Sequence, residues 1–277
     1  MSGKLYICPT PIGNLEDMTY RTVRILNEVD VIAAEDTRHS IKLLNHFEIS
    51  KPLTSYHEHN EESKGGYLIE KLLAGENIAI ISDAGMPGIS DPGEVIIKQA
   101  IENNIEIEVL PGATASITAL VGSGLQTRKF VFEGFLDRDK KVRRNQLEEV
   151  KEEARTIIFY ESPHRLKETL KDMLKILGNR KIAVNRELTK KYQEIIREDI
   201  ETVINIFNEK DVKGEFVLIV EGFTGEKTVK NNYDDLNERE YVVVLMKDGM
   251  DKKDAIKVVC KDRKLQKDIV YKQVLDL

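Results

Sequence analysis

Short runs of β-branched and aliphatic residues alternate with longer amphipathic stretches along most of the chain. Runs at 5–8, 31–34, 78–82 and 105–110 predict strands, because short continuous apolar segments bounded by turn residues suit strands buried on both faces. Between them, residues 17–29 place Val23, Leu26 and Val29 on one face, and 67–73 and 94–101 carry similar stripes, which predicts helices covering a sheet. A second set starts near Phe130, with strands expected at 130–135, 156–160, 181–185 and 215–220 and helices at 143–153, 163–177 and 200–207. The alternation is that of α/β layers around a largely parallel sheet. Gly122 and Gly124, in the stretch GSGLQTRK, end a helix and mark the expected boundary between α/β domains at 1–124 and 125–222.

After Gly222 the pattern weakens. Residues 223–237 are polar and suit a linker, and 238–277 predict a small helical segment with helices near 241–246, 255–259 and 269–275. Its alternating Lys and Asp fit either a solvated appendage or an RNA-contacting module.

Composition narrows the class. A chain of 277 residues suggests about two domains, and 41% hydrophobic with 32% charged residues is a soluble globular balance. No apolar run approaches the roughly 18 residues of a membrane span, so no membrane partner is expected. The net charge of −6 repels nucleic acid in bulk, so such a partner requires a local basic patch. Cys8 and Cys260 stand near opposite ends of the chain and offer neither zinc spacing nor a disulfide framework; with the polar start MSGKLYIC, a reducing cytoplasm is expected.

Chemistry concentrates where strands end. PTPIGN (9–14) is a stiff loop with one flexible point, and it is not the GxGxxG of a dinucleotide fold. SDAGMPGISDPG (82–93) combines Gly and Pro in a backbone bent closely around something, which exposes amides and carbonyls to a ligand; the alternative is a tight connection with Asp91 capping the next helix. PGATAS (111–116) permits close approach at a helix start. Three such loops at one sheet edge predict one pocket. AAEDTR (33–38) brings Glu35, Asp36 and Arg38 together, either as a catalytic cluster or as an internally paired turn. SYHEHNE contributes His57, Glu58, His59 and Asn60; with no third ligand at a recognisable spacing, hydrogen bonding to a polar substrate is expected and a metal is not. In the second half, FYESPHR places Glu161, Ser162, His164 and Arg165 around a helix expected to start at Pro163, and NRELTK and KGEF repeat the strand-to-polar-loop theme. Lys140, Lys141, Arg143 and Arg144 in DRDKKVRRNQ read as a phosphate-gripping arm or as a solvated helix start.

PTPIGNLEDMT, AAEDTR, SDAGMPGISDPG, GFL, YESPHR and RELTK, in this order, resemble the ribosomal RNA small subunit methyltransferases of the tetrapyrrole methylase superfamily, from Lys4 to about Gly222. The resemblance implies S-adenosylmethionine held in a cleft between two α/β domains, a homodimer, and 2′-O-methylation of a decoding-region cytidine in 16S rRNA, naked or within the small ribosomal subunit. It implies donor contacts from Pro11 and Gly13, from Asp83, Ala84, Gly85, Met86, Pro87, Ile89 and Ser90, from Thr114 and Ala115, and from Tyr160 and Gly214. Met86 stands where the family commonly has Thr, so contact there falls to the backbone. A ribose hydroxyl needs a nearby base, for which the candidates are Glu35, Asp36, His57 and Glu161, with Arg38, Arg165 and Arg186 holding phosphates or orienting the carboxylate. A small-molecule tetrapyrrole methylase and a catalytically idle rRNA-binding assembly factor stay open as alternatives.

Overall fold

In the computed structural model, which describes residues 2–210, 212–225, 236–263 and 265–275, the apolar runs of the first half pair side by side. The strands β1 (Leu5–Ile7), β2 (Val31–Ala34), β3 (Leu53–Ser55), β4 (Ile78–Ile81) and β5 (Ile107–Val109) form a parallel sheet in the order β3-β2-β4-β1-β5. Every residue of β2 and β4 is buried, as continuous apolar runs require when helices cover both faces. The crossovers carry α1 (Tyr20–Glu28), α2 (Thr37–His46), α3 (Glu61–Leu73) and α4 (Glu94–Glu102). The helix expected from residue 17 starts later, because Asn14 caps a separate 3₁₀ turn (Leu15–Asp17) and Thr19 accepts the Thr22 N–H to begin α1.

From α5 (Ala115–Gly122) the chain enters a second sheet of β6 (Phe130–Phe135), β7 (Thr156–Glu161), β8 (Lys181–Arg186), β9 (Glu194–Asp199) and β10 (Phe216–Val220), ordered β6-β7-β10-β8-β9. Here the expectation of parallel pairing is corrected. Of these pairs β6–β7 is parallel, whereas β10 runs antiparallel to β7 and β8, and β9 to β8. The short connection from β8 to β9 has no room for a crossover helix, so the chain must turn back on itself. The helices α6 (Lys140–Glu149), α7 (Leu166–Leu177) and α8 (Ile200–Asn208) complete this half. Asp139 sets the start of α6 by accepting the Lys141 and Val142 N–H groups. Pro163 precedes α7, whose N-cap is Arg165, and does not open its first turn.

The central strands β7, β10 and β8 of the second sheet are buried on both faces. One packs Phe159, Leu218 and Val184 against α6, α7 and α8; the other packs Ile158, Ala183, Val217 and Ile219 against Ile12, Ala119 and Leu120 of the first half. On this latter face Tyr160, Val217 and Asn185 pair directly across β7, β10 and β8, so their side chains form one row.

Residues Met1–Thr224 form one compact unit and Gly225–Leu277 a second. The second unit packs α9 (Glu238–Lys247), α10 (Lys252–Arg263) and α11 (Lys267–Gln273) around Tyr241, Val242, Ile256, Val259 and Val270, and a reciprocal Asn237–Glu240 capping box starts α9. Most of the expected linker, residues 226–235, lies outside the described residues. Among those described, no helix is long and apolar enough to cross a membrane.

Candidate functional site

The first two loops are stitched together before they meet any ligand. Thr10 and Gly85 exchange backbone hydrogen bonds at 2.9 and 3.1 Å, the Thr10 hydroxyl donates to the Ser82 carbonyl, and the Ser82 hydroxyl donates to the Gly85 carbonyl. Gly85 lies at φ 88°, and a Cβ there would sit 3.2 Å from Ile12 Cγ2, so a larger residue would push the loops apart. Ser90 takes a left-handed φ of 63° that only local packing can hold. Beyond it, Glu61 accepts the Gly93 N–H at 3.0 Å and the Tyr56 hydroxyl accepts the Ile96 N–H at 3.2 Å. The N-cap of α4 is Gly93, which corrects the reading of Asp91 as the cap.

The loops close over the second sheet. Asn14 N–H donates to Thr189 Oγ1 at 3.1 Å, and Ser116 N–H donates to the Tyr160 hydroxyl at 3.2 Å. Between them lies a cavity of about 290 Å³, near the lower end of small-molecule sites. The first half contributes Ile12, the loop residues Ala84, Gly85, Met86, Ile89, Ser90 and Asp91, and Thr114, Ala115 and Ser116 at the start of α5. The second half contributes Phe135, Tyr160, Glu161, Ser162 and Pro163, then Asn185 and Leu188, then Glu215, Phe216 and Val217. An adjoining cavity of about 560 Å³ shares Ile12, Ala84 and Glu215 and adds Pro11, Gly13, Asp83, His39, Lys42 and Lys190. Pro87 and Gly214 line neither. At Gly214 a Cβ would lie 2.6 Å from Glu187 Cγ, so that glycine makes room for Glu187.

The expected acids separate by environment. Asp36 caps α2 and pairs bidentately with Arg38, whose hydrogen bonds hold its carboxyl well below the usual range; this is the internally paired turn. Glu35 accepts the Asp83 N–H at 3.3 Å, and burial pushes its carboxyl up. His57 bonds to Asn60 and lines neither cavity. Glu161 reaches the cavity but is fully engaged: it accepts from Thr169 Oγ1 at 2.5 Å and from its neighbour Ser162 N–H at 2.7 Å, and it pairs with Arg165 at 2.9 Å. Asp91, not foreseen as a site residue, has no hydrogen bond to the described residues. Burial, then the nearby charges of Glu35, Asp83 and Glu215, push its carboxyl up to about 7.

The basic arm divides as well. Lys140 and Lys141 are exposed at the start of α6. Arg143 is not part of an exposed arm: it is 1% exposed, and its guanidinium donates twice to Asp172 Oδ2, at 2.8 and 3.0 Å, and reaches Glu168. Arg144 donates to the other Asp172 oxygen at 2.7 Å. Burial alone would raise the Asp172 carboxyl, but these hydrogen bonds outweigh it and hold it low. Arg165 also donates to the Leu136 carbonyl, and Arg186 to that of Lys213. Among the described residues no cluster of His, Cys, Asp and Glu could hold a metal ion.

Asp91, Asn185 and Glu215 are polar lining residues that sequence reasoning did not single out, as are Ser116 in the first cavity and His39, Lys42 and Lys190 in the second. The doubled Asp-Pro-Gly/Asp-Ala-Gly punctuation of 82–93 singled out the segment of Asp91, NRELTK that of Asn185 and KGEF that of Glu215.

The family model of tetrapyrrole (corrin/porphyrin) methylases matches residues 4–204. Ribosomal RNA small subunit methyltransferase I of Halalkalibacterium halodurans is 52% identical over 97% of this chain and 93% of its own length, and that of Bacillus subtilis 51% over the same shares. Among solved structures, uroporphyrin-III C-methyltransferase from Thermus thermophilus complexed with S-adenyl homocysteine superposes with a TM-score of 0.56 at 18% identity, over 79% of this chain and 97% of that one. Diphthine synthase superposes with a TM-score of 0.60 at 12% identity, over 79% and 90%. These two show the same fold, and the first-half loops that line the cavity fall within residues 4–204. The chain belongs to the tetrapyrrole (corrin/porphyrin) methylase family and, within it, groups with the ribosomal RNA small subunit methyltransferase I proteins.

Proposed function

We propose that this chain is an S-adenosylmethionine-dependent methyltransferase that modifies the ribose 2′-hydroxyl of a decoding-region cytidine in 16S rRNA. The observation that carries the chemistry is the cavity in which small-residue loops and an apolar sheet face meet around the unpaired carboxylate of Asp91. The substrate class follows the relatives at 52 and 51% identity.

The residues fit the donor. Glu35, Asp83, Asp91 and Glu215 make the local field negative, which favours a cationic ligand and opposes a stray phosphate. The orphaned Asn185 side-chain oxygen offers a hydrogen-bond acceptor. The donor supplies a methyl group already activated on a sulfonium. The protein's task is alignment and proton removal. The backbone of 84–90 and the start of α5 form the wall, Tyr160 and Phe135 form the floor, and together they restrict water. Asp91 would accept the proton of the ribose hydroxyl during methyl transfer from the bound donor and return it to solvent. Glu161, engaged by three donors, positions the Ser162–Arg165 turn and is not the base. The nucleotide enters through the adjoining cavity past His39 and Lys42, and Lys140 and Lys141 contact the RNA backbone farther out.

A homodimer in the cytoplasm completes the proposal; a second copy would cover the exposed apolar side chains of Val109, Ile117 and Val121. Light scattering of the purified chain tests that part. Methyl transfer is tested with labelled S-adenosylmethionine and small-subunit RNA: label in a decoding-region ribose is expected. Label in a tetrapyrrole instead, or none in either, would overturn the assignment.

A further inference from the structure

We propose that Asn185 reads the adenine of the methyl donor, its side-chain oxygen accepting the exocyclic N–H of the purine. The inference rests on the donor reading above and adds the group that distinguishes the base.

Asn185 is wholly buried, in a strand whose preceding residues Ile182, Ala183 and Val184 are also buried. Its Nδ2 donates to the carbonyls of Ala183 at 3.3 Å and Val217 at 3.4 Å. Because both partners can only accept, the nitrogen must face them, and turning the amide over would set oxygen against oxygen. The orientation is therefore fixed, and the oxygen is the atom left over. That Oδ1 is buried without a hydrogen-bond partner, on a residue that lines the cavity. Native proteins rarely leave a buried acceptor unpaired, and an aliphatic residue would pack here without the cost. A ligand that brings its own N–H accounts for the amide.

The surroundings select the kind of N–H. Asn185 lies in one cross-strand row with Val217 and Tyr160, and Leu188 and Ile12 supply further apolar wall. Such walls suit the faces of a flat heterocycle. A lone neutral acceptor suits an aromatic amine, whereas an ammonium group needs several acceptors or an anion. The cavity's carboxylates, Asp91, Glu161 and Glu215, are separate residues on other segments.

Calorimetry with S-adenosylhomocysteine and its analogue lacking the 6-amino group tests this without turnover. The wild-type chain is expected to bind the 6-amino compound roughly tenfold more tightly. In Asn185→Leu the two compounds are expected to bind within about twofold of each other, with the melting temperature kept or raised. Equal binding of both compounds by the wild type overturns the inference even if the variant fails to fold, as does a preference that survives in a folded variant. Absence of any wild-type binding to S-adenosylhomocysteine would instead remove the donor reading itself.

Discussion

The Tyr160 hydroxyl accepts the Ser116 backbone N–H at 3.2 Å, tying the second sheet to the first turn of α5. The contact crosses the cavity: both residues line it, one on the floor and one at the wall. It also uses an amide that a helix start leaves without an intrahelical partner. Phe132 and Phe135 pack edge-on against the Tyr160 ring, with centroids 5.0 and 5.4 Å away, and fix where the hydroxyl points.

Tyr160→Phe keeps the ring and deletes the acceptor. It is expected to lower stability by about 1 kcal/mol and to weaken S-adenosylhomocysteine binding severalfold, because the wall that carries Thr114 and Ala115 loses its anchor. Urea unfolding and calorimetry measure the two effects. An unchanged unfolding midpoint would mean the bond contributes nothing.

Asp91 sets the pH dependence. Its folded pKa of about 7 lies above the ordinary 3.8, so between these values the folded chain keeps a proton that the unfolded chain has lost. Its contribution to stability is thus present below pH 3.8 and lost as the pH rises through 7. Asp91→Asn is expected to remove this slope and, at pH 8, to raise stability by about 2 kcal/mol, a figure discounted for solvent reach. The same change is expected to abolish turnover, which in the wild type rises with pH as the carboxylate forms. Denaturant titrations at pH 5 and 8 with a pH–rate profile check both; full turnover in the variant would move the base elsewhere.

The loops that build the cavity were legible because Gly and Pro punctuate them after apolar strands, and both properties are local. What depended on distant partners was not. Asp91 is perturbed by burial and then by Glu35, Asp83 and Glu215, which the fold brings together from well-separated segments. Arg143 read as part of a solvated basic run, yet its partner Asp172 lies on another helix, and pairing two buried charges is invisible to composition. The edge strand β9 escaped notice because its residues are mixed and half-exposed, and β3 because it is only three residues long. The antiparallel pairing of the second sheet depended on where a strand of that kind turns back.

That division of the basic run predicts two phenotypes from neighbouring residues. Arg143→Ala leaves Asp172 buried with half its partners and is expected to cost about 3–5 kcal/mol of stability. Lys140→Ala with Lys141→Ala is expected to leave stability within about 0.5 kcal/mol and to weaken RNA binding, with a shallower dependence on salt. Both lysines sit at a helix start, where cations oppose the helix dipole and a phosphate would relieve them. Thermal melts and RNA titrations at two salt concentrations separate the cases. RNA binding that is unaffected at either salt would exclude the pair from the interface.

Met86 lines the cavity and packs against the core of the first sheet. Thr, the residue the sequence resemblance implies there, exchanges apolar contact for a hydroxyl. Met86→Thr therefore has opposed consequences. Loss of buried thioether surface is expected to cost about 1–2 kcal/mol of stability. The new hydroxyl faces the cavity and is expected to tighten S-adenosylhomocysteine binding by about three- to tenfold, the worth of one hydrogen bond. A gain in affinity alongside a loss in melting temperature supports the exchange. A loss of both would show that Met86 holds the 84–90 bend by packing and that the backbone there contacts the donor without help from a side chain.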